Sequence, residues 1–246
     1  MNAVDRIVGG LEKKNKITTE EERRSIAIHE AGHATISWML RYANPLVKVT
    51  IVPRGKALGA AWYLPEERQI TTTEALQDQL CALLGGRAAE DLFLGRVSTG
   101  AANDLERVTK LAYAMVTYYG MSDKLPNINY YEMQNDGWNL TKPYSDTTAE
   151  VIDAEVNRII SEQYERAKSI LREHEARHHE LADLLLKREV ILADDVERIF
   201  GKRPWASRTE ELLGLNAPAT ATEETTADAE APIPVEGEEK TEEHPE

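Results

Sequence analysis

Apolar positions along this chain mostly recur every three or four residues, in blocks separated by prolines, glycines and helix-capping residues. Val4, Ile7, Val8 and Leu11 form one stripe, which predicts a helix end over 4–14 with few partners nearby. Thr19 followed three residues later by Glu22 is a capping box; it opens a helix running to about Tyr42, where Asn44-Pro45 stops it. Between Leu46 and Leu64 the period changes to two. Val47-Lys48-Val49-Thr50-Ile51-Val52 and Ala60-Ala61-Trp62-Tyr63-Leu64, joined through Pro53-Arg54-Gly55, predict two strands. Helical spacing returns over Thr71–Leu94, with Gly85-Gly86 a break or close-packing point, and over Ala101–Tyr119, which Gly120 ends. Residues 121–145, rich in Asn, Pro, Tyr and Gly, predict a long loop. Ser145–Arg172, His178–Arg188 and Leu192–Phe200 predict further helices. The expected fold class is mainly α, with a small two-stranded β element.

Charge changes the picture at the C-terminus. Residues 217–246 carry ten acidic side chains against Lys240 alone, a balance of −9 that leaves −5 of the total −14 for the remainder. This stretch has no aromatic residues and few large aliphatics, so it cannot bury enough surface to offset ordering entropy. A domain over 17–203 followed by a disordered acidic tail over 204–246 is the expected organisation. No basic stripe with interleaved aromatics is present, which argues against nucleic acid as a partner. The longest uncharged stretches, such as Leu111–Ser122, fall short of the roughly 20 residues that a membrane-spanning helix needs. Cys81, the single cysteine, reads as a small buried hydrophobe in a reducing compartment.

The candidate chemistry lies in His29-Glu30-Ala31-Gly32-His33. Each helical residue turns about 100°, so His29 and His33 share one face a turn apart and can grip one ion. A catalytic zinc takes three protein ligands and a water, and the glutamate after the first histidine stands beside that water as a base. Glu30 is therefore the candidate catalytic residue, with His29 and His33 as metal ligands. A second match, His174-Glu175-Ala176-Arg177-His178, has a cation between its histidines and charged neighbours on both sides, the pattern of a solvated face. Ile26–Ile28 and Ala34–Leu40 make the first match a buried helix, where polar residues require a reason. Local spacing leaves the third ligand open among Glu90, Asp91, Asp104 and Glu106.

Three blocks resemble the peptidase domain of the FtsH family of membrane-anchored, ATP-dependent zinc proteases. They are Glu22-Arg23-Arg24 with His29–Ala34, then Leu84-Gly85-Gly86-Arg87-Ala88-Ala89-Glu90, then Ser98-Thr99-Gly100-Ala101-Ala102-Asn103-Asp104-Leu105; Val49–Gly55 is a fourth. The resemblance covers residues 1 to about 203 and implies a mostly helical domain with one Zn2+ per chain, Asp104 as third ligand and Glu90 in a structural role. It also implies unfolded polypeptides as substrates, bound as an added strand at Val49, Thr50, Ile51 and Val52, and assembly as a homo-hexamer. In the family the domain works at the cytoplasmic, inner face of the membrane, coupled to an ATPase module and a membrane anchor upstream. No Gly-x-x-x-x-Gly-Lys-Ser/Thr loop occurs in this sequence, so ATP would enter only through such a module. Residues 1–16 are the expected end of that module, and the chain by itself is expected to be soluble. The alternative reading is a non-catalytic ring-forming assembly module with a degenerate metal site.

Overall fold

The computed structural model describes residues 19–53, 58–66, 69–130 and 144–213. The helix expected over 4–14 and the acidic stretch over 217–246 lie outside them. Seven helices and three strands follow in order: α1 (Glu20–Met39), β1 (Leu46–Thr50), β2 (Ala60–Tyr63), α2 (Thr73–Leu94), a 3-10 turn (Thr99–Ala101), α3 (Ala102–Thr117), α4 (Asp146–Glu173), α5 (Glu175–Arg188), β3 (Val190–Leu192), α6 (Ala193–Phe200) and α7 (Arg208–Leu212).

α1 is the axis of the domain. The capping box forms as expected, with Thr19 Oγ1 accepting from Glu22 N–H and the Glu22 carboxylate accepting from Thr19 N–H. Every residue from Ala27 to Trp38 is buried, so the helix is enclosed on all sides. It ends at Met39 rather than Tyr42, because Leu40 turns to an extended conformation. The helix α2 crosses α1 at backbone contact. A Cβ on Gly32 would stand 2.5 Å from the Gly85 carbonyl oxygen, and one on Gly85 would stand 2.9 Å from that of Gly32. Gly85-Gly86 is thus a close-packing point; α2 runs through it without a break.

The sheet departs from the expected two strands. Its order is β2-β1-β3, with β1 antiparallel to both neighbours: Val49 pairs with Ala61 on one side and Ile191 on the other. Val190-Ile191-Leu192 is too short to show a period of two, so nothing local separates it from the helices around it. Its partner is about 140 positions away in the chain.

The segment from 201, placed mostly in the tail by composition, docks on the C-terminal end of α1. Trp38 Nε1 donates to the Gly201 carbonyl, Trp205 Nε1 to that of Met39, and Arg203 Nη2 to those of Leu40 and Ala43, at 3.1, 2.8, 3.0 and 2.5 Å. The carbonyls of Met39 and Leu40 are among those that the end of α1 leaves without intrahelical partners. The ordered domain therefore extends beyond 203, to α7. Arg203→Ala is expected to lower stability by about 2 kcal/mol, given the strength of charge-assisted hydrogen bonds, and the melting temperature by about 4–8 °C. Calorimetry of the variant with an unchanged melting point would show that this strap does not clamp the helix.

Candidate metal centre

Helical spacing places His29 and His33 on one face, and their rings meet edge to face with centroids 4.8 Å apart. Both are almost fully buried. The first turn of α3 brings Asp104 to them from the other side, near the helix N-terminus where a carboxylate is favoured. His29 Nε2 lies 3.1 Å from His33 Nε2, and Asp104 Oδ2 lies 3.4 and 3.5 Å from the two nitrogens. Among the described residues these three form the one cluster with metal-ligand geometry, and its ligand atoms all fall within 4.8 Å of one another.

The hydrogen bonds on the far side of each ring settle its tautomer. His33 Nδ1 is 2.9 Å from the Ala82 carbonyl, which only accepts, so Nδ1 carries the proton. His29 Nδ1 is 2.7 Å from Glu90 Oε1. Although burial alone would raise its pKa, the Glu90 carboxyl is held below the usual range by His29 and Ser98, so it too is an acceptor. Both Nε2 atoms therefore face each other and the Asp104 carboxylate. Without a proton on Nε2 all three atoms would be acceptors, so the cluster calls for positive charge at its centre, from a proton or from a metal ion.

This donor set fits zinc. With Zn–N and Zn–O bonds of about 2.0–2.2 Å, tetrahedral ligands stand about 3.3 Å apart, close to the three separations here. The acidity of the cluster points the same way. Burial opposes charging of His29, yet Asp104, Glu90 and Glu30 together raise its pKa to about 9. Burial also disfavours ionised Asp104, but hydrogen bonds from His29 and His33 override it and hold that carboxyl well below its ordinary value. Glu30, 7% exposed, shows the opposite balance: burial pushes its carboxyl up, only partly opposed by His33 and His29.

Two glycines shape the pocket, and the sequence singled out neither for this role. A Cβ on Gly86 would overlap the His29 ring, and one on Gly59 would meet Glu30 Oε1 at 2.6 Å. Both contacts join positions more than 25 residues apart, so no local signal reveals them.

The sequence profile of peptidase family M41 matches residues 16–199. That is three-quarters of the chain. The chain belongs to peptidase family M41. It is 69% identical over 231 residues to the ATP-dependent zinc metalloprotease FtsH of Parabacteroides distasonis, which covers 94% of this chain and 34% of that protein. It is 52% identical to the FtsH of Rhodothermus marinus over 82% of this chain and 30% of that protein. The mitochondrial ATP-dependent zinc metalloprotease FTSH 3 of Arabidopsis thaliana is 46% identical, over 96% of this chain and 29% of that protein. The chain thus spans about a third of the length of these curated relatives.

In this M41 chain the strand expected to receive substrate, β1, is the central strand of the sheet. The β1 residues Val49 and Thr50 are hydrogen-bonded to strands on both sides, and Ile51 N–H donates to the Glu189 carbonyl at 2.9 Å. Val52 N–H is taken by Thr50 Oγ1. Both edges of Val49 and Thr50 are paired, so an added strand finds no free backbone edge at those two residues.

The second motif is also not a solvated face throughout. His174 joins α4 to α5, and His178 is fully buried, donating from Nε2 to the Ile28 carbonyl at 3.1 Å and stacking on Phe93. Burial lowers the His178 pKa to about 4. It is a core histidine that braces the helix bearing the first motif. No helix among the described residues is long and apolar enough to cross a membrane.

Proposed function

We propose that this chain is the zinc-dependent endopeptidase domain of an ATP-dependent protease that hydrolyses peptide bonds in unfolded polypeptides. The observation that carries this reading is the meeting of two imidazole nitrogens and one carboxylate oxygen beside the buried carboxylate of Glu30. His29, His33 and Asp104 would hold the ion. Bound there, zinc supplies an activated water and polarises the scissile carbonyl. Glu30 accepts the proton from the attacking water and delivers it to the departing amine. Its burial keeps the carboxylate basic enough for that work near neutral pH.

Substrate is read along the outer edge of β2, which no strand among the described residues pairs. Gly59, immediately before that strand, lies against Glu30, so an extended polypeptide pairing with Ala60–Tyr63 passes the base. Backbone pairing recognises chain rather than side-chain identity, which suits unfolded substrates and demands little sequence preference. The hexamer, the ATPase module that feeds the site and the location at the inner face of the membrane are proposed for the longer architecture of the relatives. A ring-forming assembly module would have no need to bury a glutamate beside two imidazoles, which favours the enzyme.

The expected result for purified protein is about one zinc per chain and cleavage of casein, a substrate without stable structure. Asp104→Ala should lose one of three ligands and bind zinc at least about 100-fold more weakly, whereas Glu90→Gln, still hydrogen-bonding His29, should lose about 10-fold. Metal analysis showing the reverse order would move the third ligand to Glu90.

A further inference from the structure

We propose that Ser98 is a positioning residue that ties the two arms of the metal centre together, setting metal affinity without touching the metal. This rests on His29, His33 and Asp104 being a zinc site. The Glu90 carboxylate is 2% exposed and accepts three hydrogen bonds. His29 Nδ1–H reaches Oε1 at 2.7 Å, Ser98 N–H reaches Oε2 at 2.7 Å, and the Ser98 hydroxyl reaches Oε1 at 3.0 Å. The same hydroxyl accepts the Gly100 N–H at 3.1 Å, capping the turn Thr99–Ala101. That turn runs without interruption into α3, whose first turn carries Asp104. One oxygen therefore joins the carboxylate that orients His29 to the segment that launches Asp104.

The residue itself is exposed, so it is not held there by packing. A hydroxyl is needed because the position must donate to a carboxylate and accept from a backbone amide at once. Loss of that oxygen removes a donor from the buried Glu90 carboxylate and an acceptor from Gly100. Both the His29 ring and the start of α3 then gain freedom, and the ligands meet at the metal less often in binding geometry. A group hydrogen-bonded to a metal ligand changes metal affinity about 10–100-fold, and Ser98, which acts on His29 through Glu90, falls at the low end of that range.

The test measures zinc affinity by competition with a chromophoric chelator, together with the absorption bands of the Co2+-loaded protein, which report ligand geometry. Ser98→Ala is expected to weaken zinc about 10-fold and to alter the Co2+ bands, with the metal-free protein still folded. Ser98→Thr keeps the hydroxyl and suits the extended backbone here, at φ −119° and ψ 170°, so it should stay near wild type. Ser98→Val, the shape of threonine without its oxygen, should behave like Ser98→Ala, and the Thr/Val pair decides the matter if Ser98→Ala fails to fold. Equal zinc affinity and equal Co2+ bands for Ser98→Thr and Ser98→Val would overturn the proposal. A wild-type protein that binds no zinc would instead sink the metal-site reading, and this one with it.

Discussion

Replacing Glu30 by glutamine is expected to leave zinc bound and to reduce peptide hydrolysis by about a thousandfold, since removing a general base costs about 10²–10⁴ in rate. Glutamine matches the glutamate in shape, so the space beside Gly59 stays filled and the two imidazoles keep their positions. What disappears is the proton acceptor. A thousandfold loss corresponds to about 4 kcal/mol of transition-state stabilisation. It should appear in kcat, with KM little changed, because the substrate pairing proposed along β2 does not involve the carboxylate. Zinc content and casein cleavage measured on one preparation separate the outcomes. Retained zinc with undiminished cleavage would remove Glu30 from the mechanism, and zinc loss would show that its charge also holds the ion.

The second large effect is expected from a single methyl group. Gly86→Ala places a Cβ inside the volume of the His29 ring. In an exposed helix that change stabilises by about 0.5–1 kcal/mol, because alanine loses less backbone freedom on folding. Here neither side can give way. The ring is fixed by its bond to Glu90 at 2.7 Å, and α2 cannot retreat while Gly85 packs on the Gly32 backbone. The ring must rotate out of line, and zinc affinity should fall by about 100-fold or more, as when a ligand loses its orienting partner. Circular dichroism should still show a helical protein, because the clash is confined to one side chain. Wild-type zinc affinity in Gly86→Ala would mean that His29 does not occupy the position described.

These expectations rest on different levels of the molecule. The motif helix was legible because everything it needs is local. Thr19 and Glu22 mark its start, and the spacing of four between His29 and His33 places both on one face wherever such a helix occurs. The same holds for α2 and α4, whose helical spacing placed them over 71–94 and 145–172, close to the observed Thr73–Leu94 and Asp146–Glu173. The resemblance to a family narrowed four candidate carboxylates to Asp104, and the fold brings that residue to the two histidines.

What the sequence by itself determined is therefore the longer helices and the two-histidine face, because backbone hydrogen bonding and side-chain periodicity act over three or four residues. Only the tertiary structure decided what surrounds that face. Ala82 and Glu90 set the ring tautomers, Gly59 and Gly86 leave room for Glu30 and His29, and β3 closes the edge of β1. His178, expected on a solvated face, turned inward against Ile28, and Trp205, expected in the tail, joins Arg203 in capping α1. Each of these contacts joins residues that are far apart in the chain. Local pattern carries no information about such pairs, because which surfaces meet depends on how whole elements bury their apolar faces together.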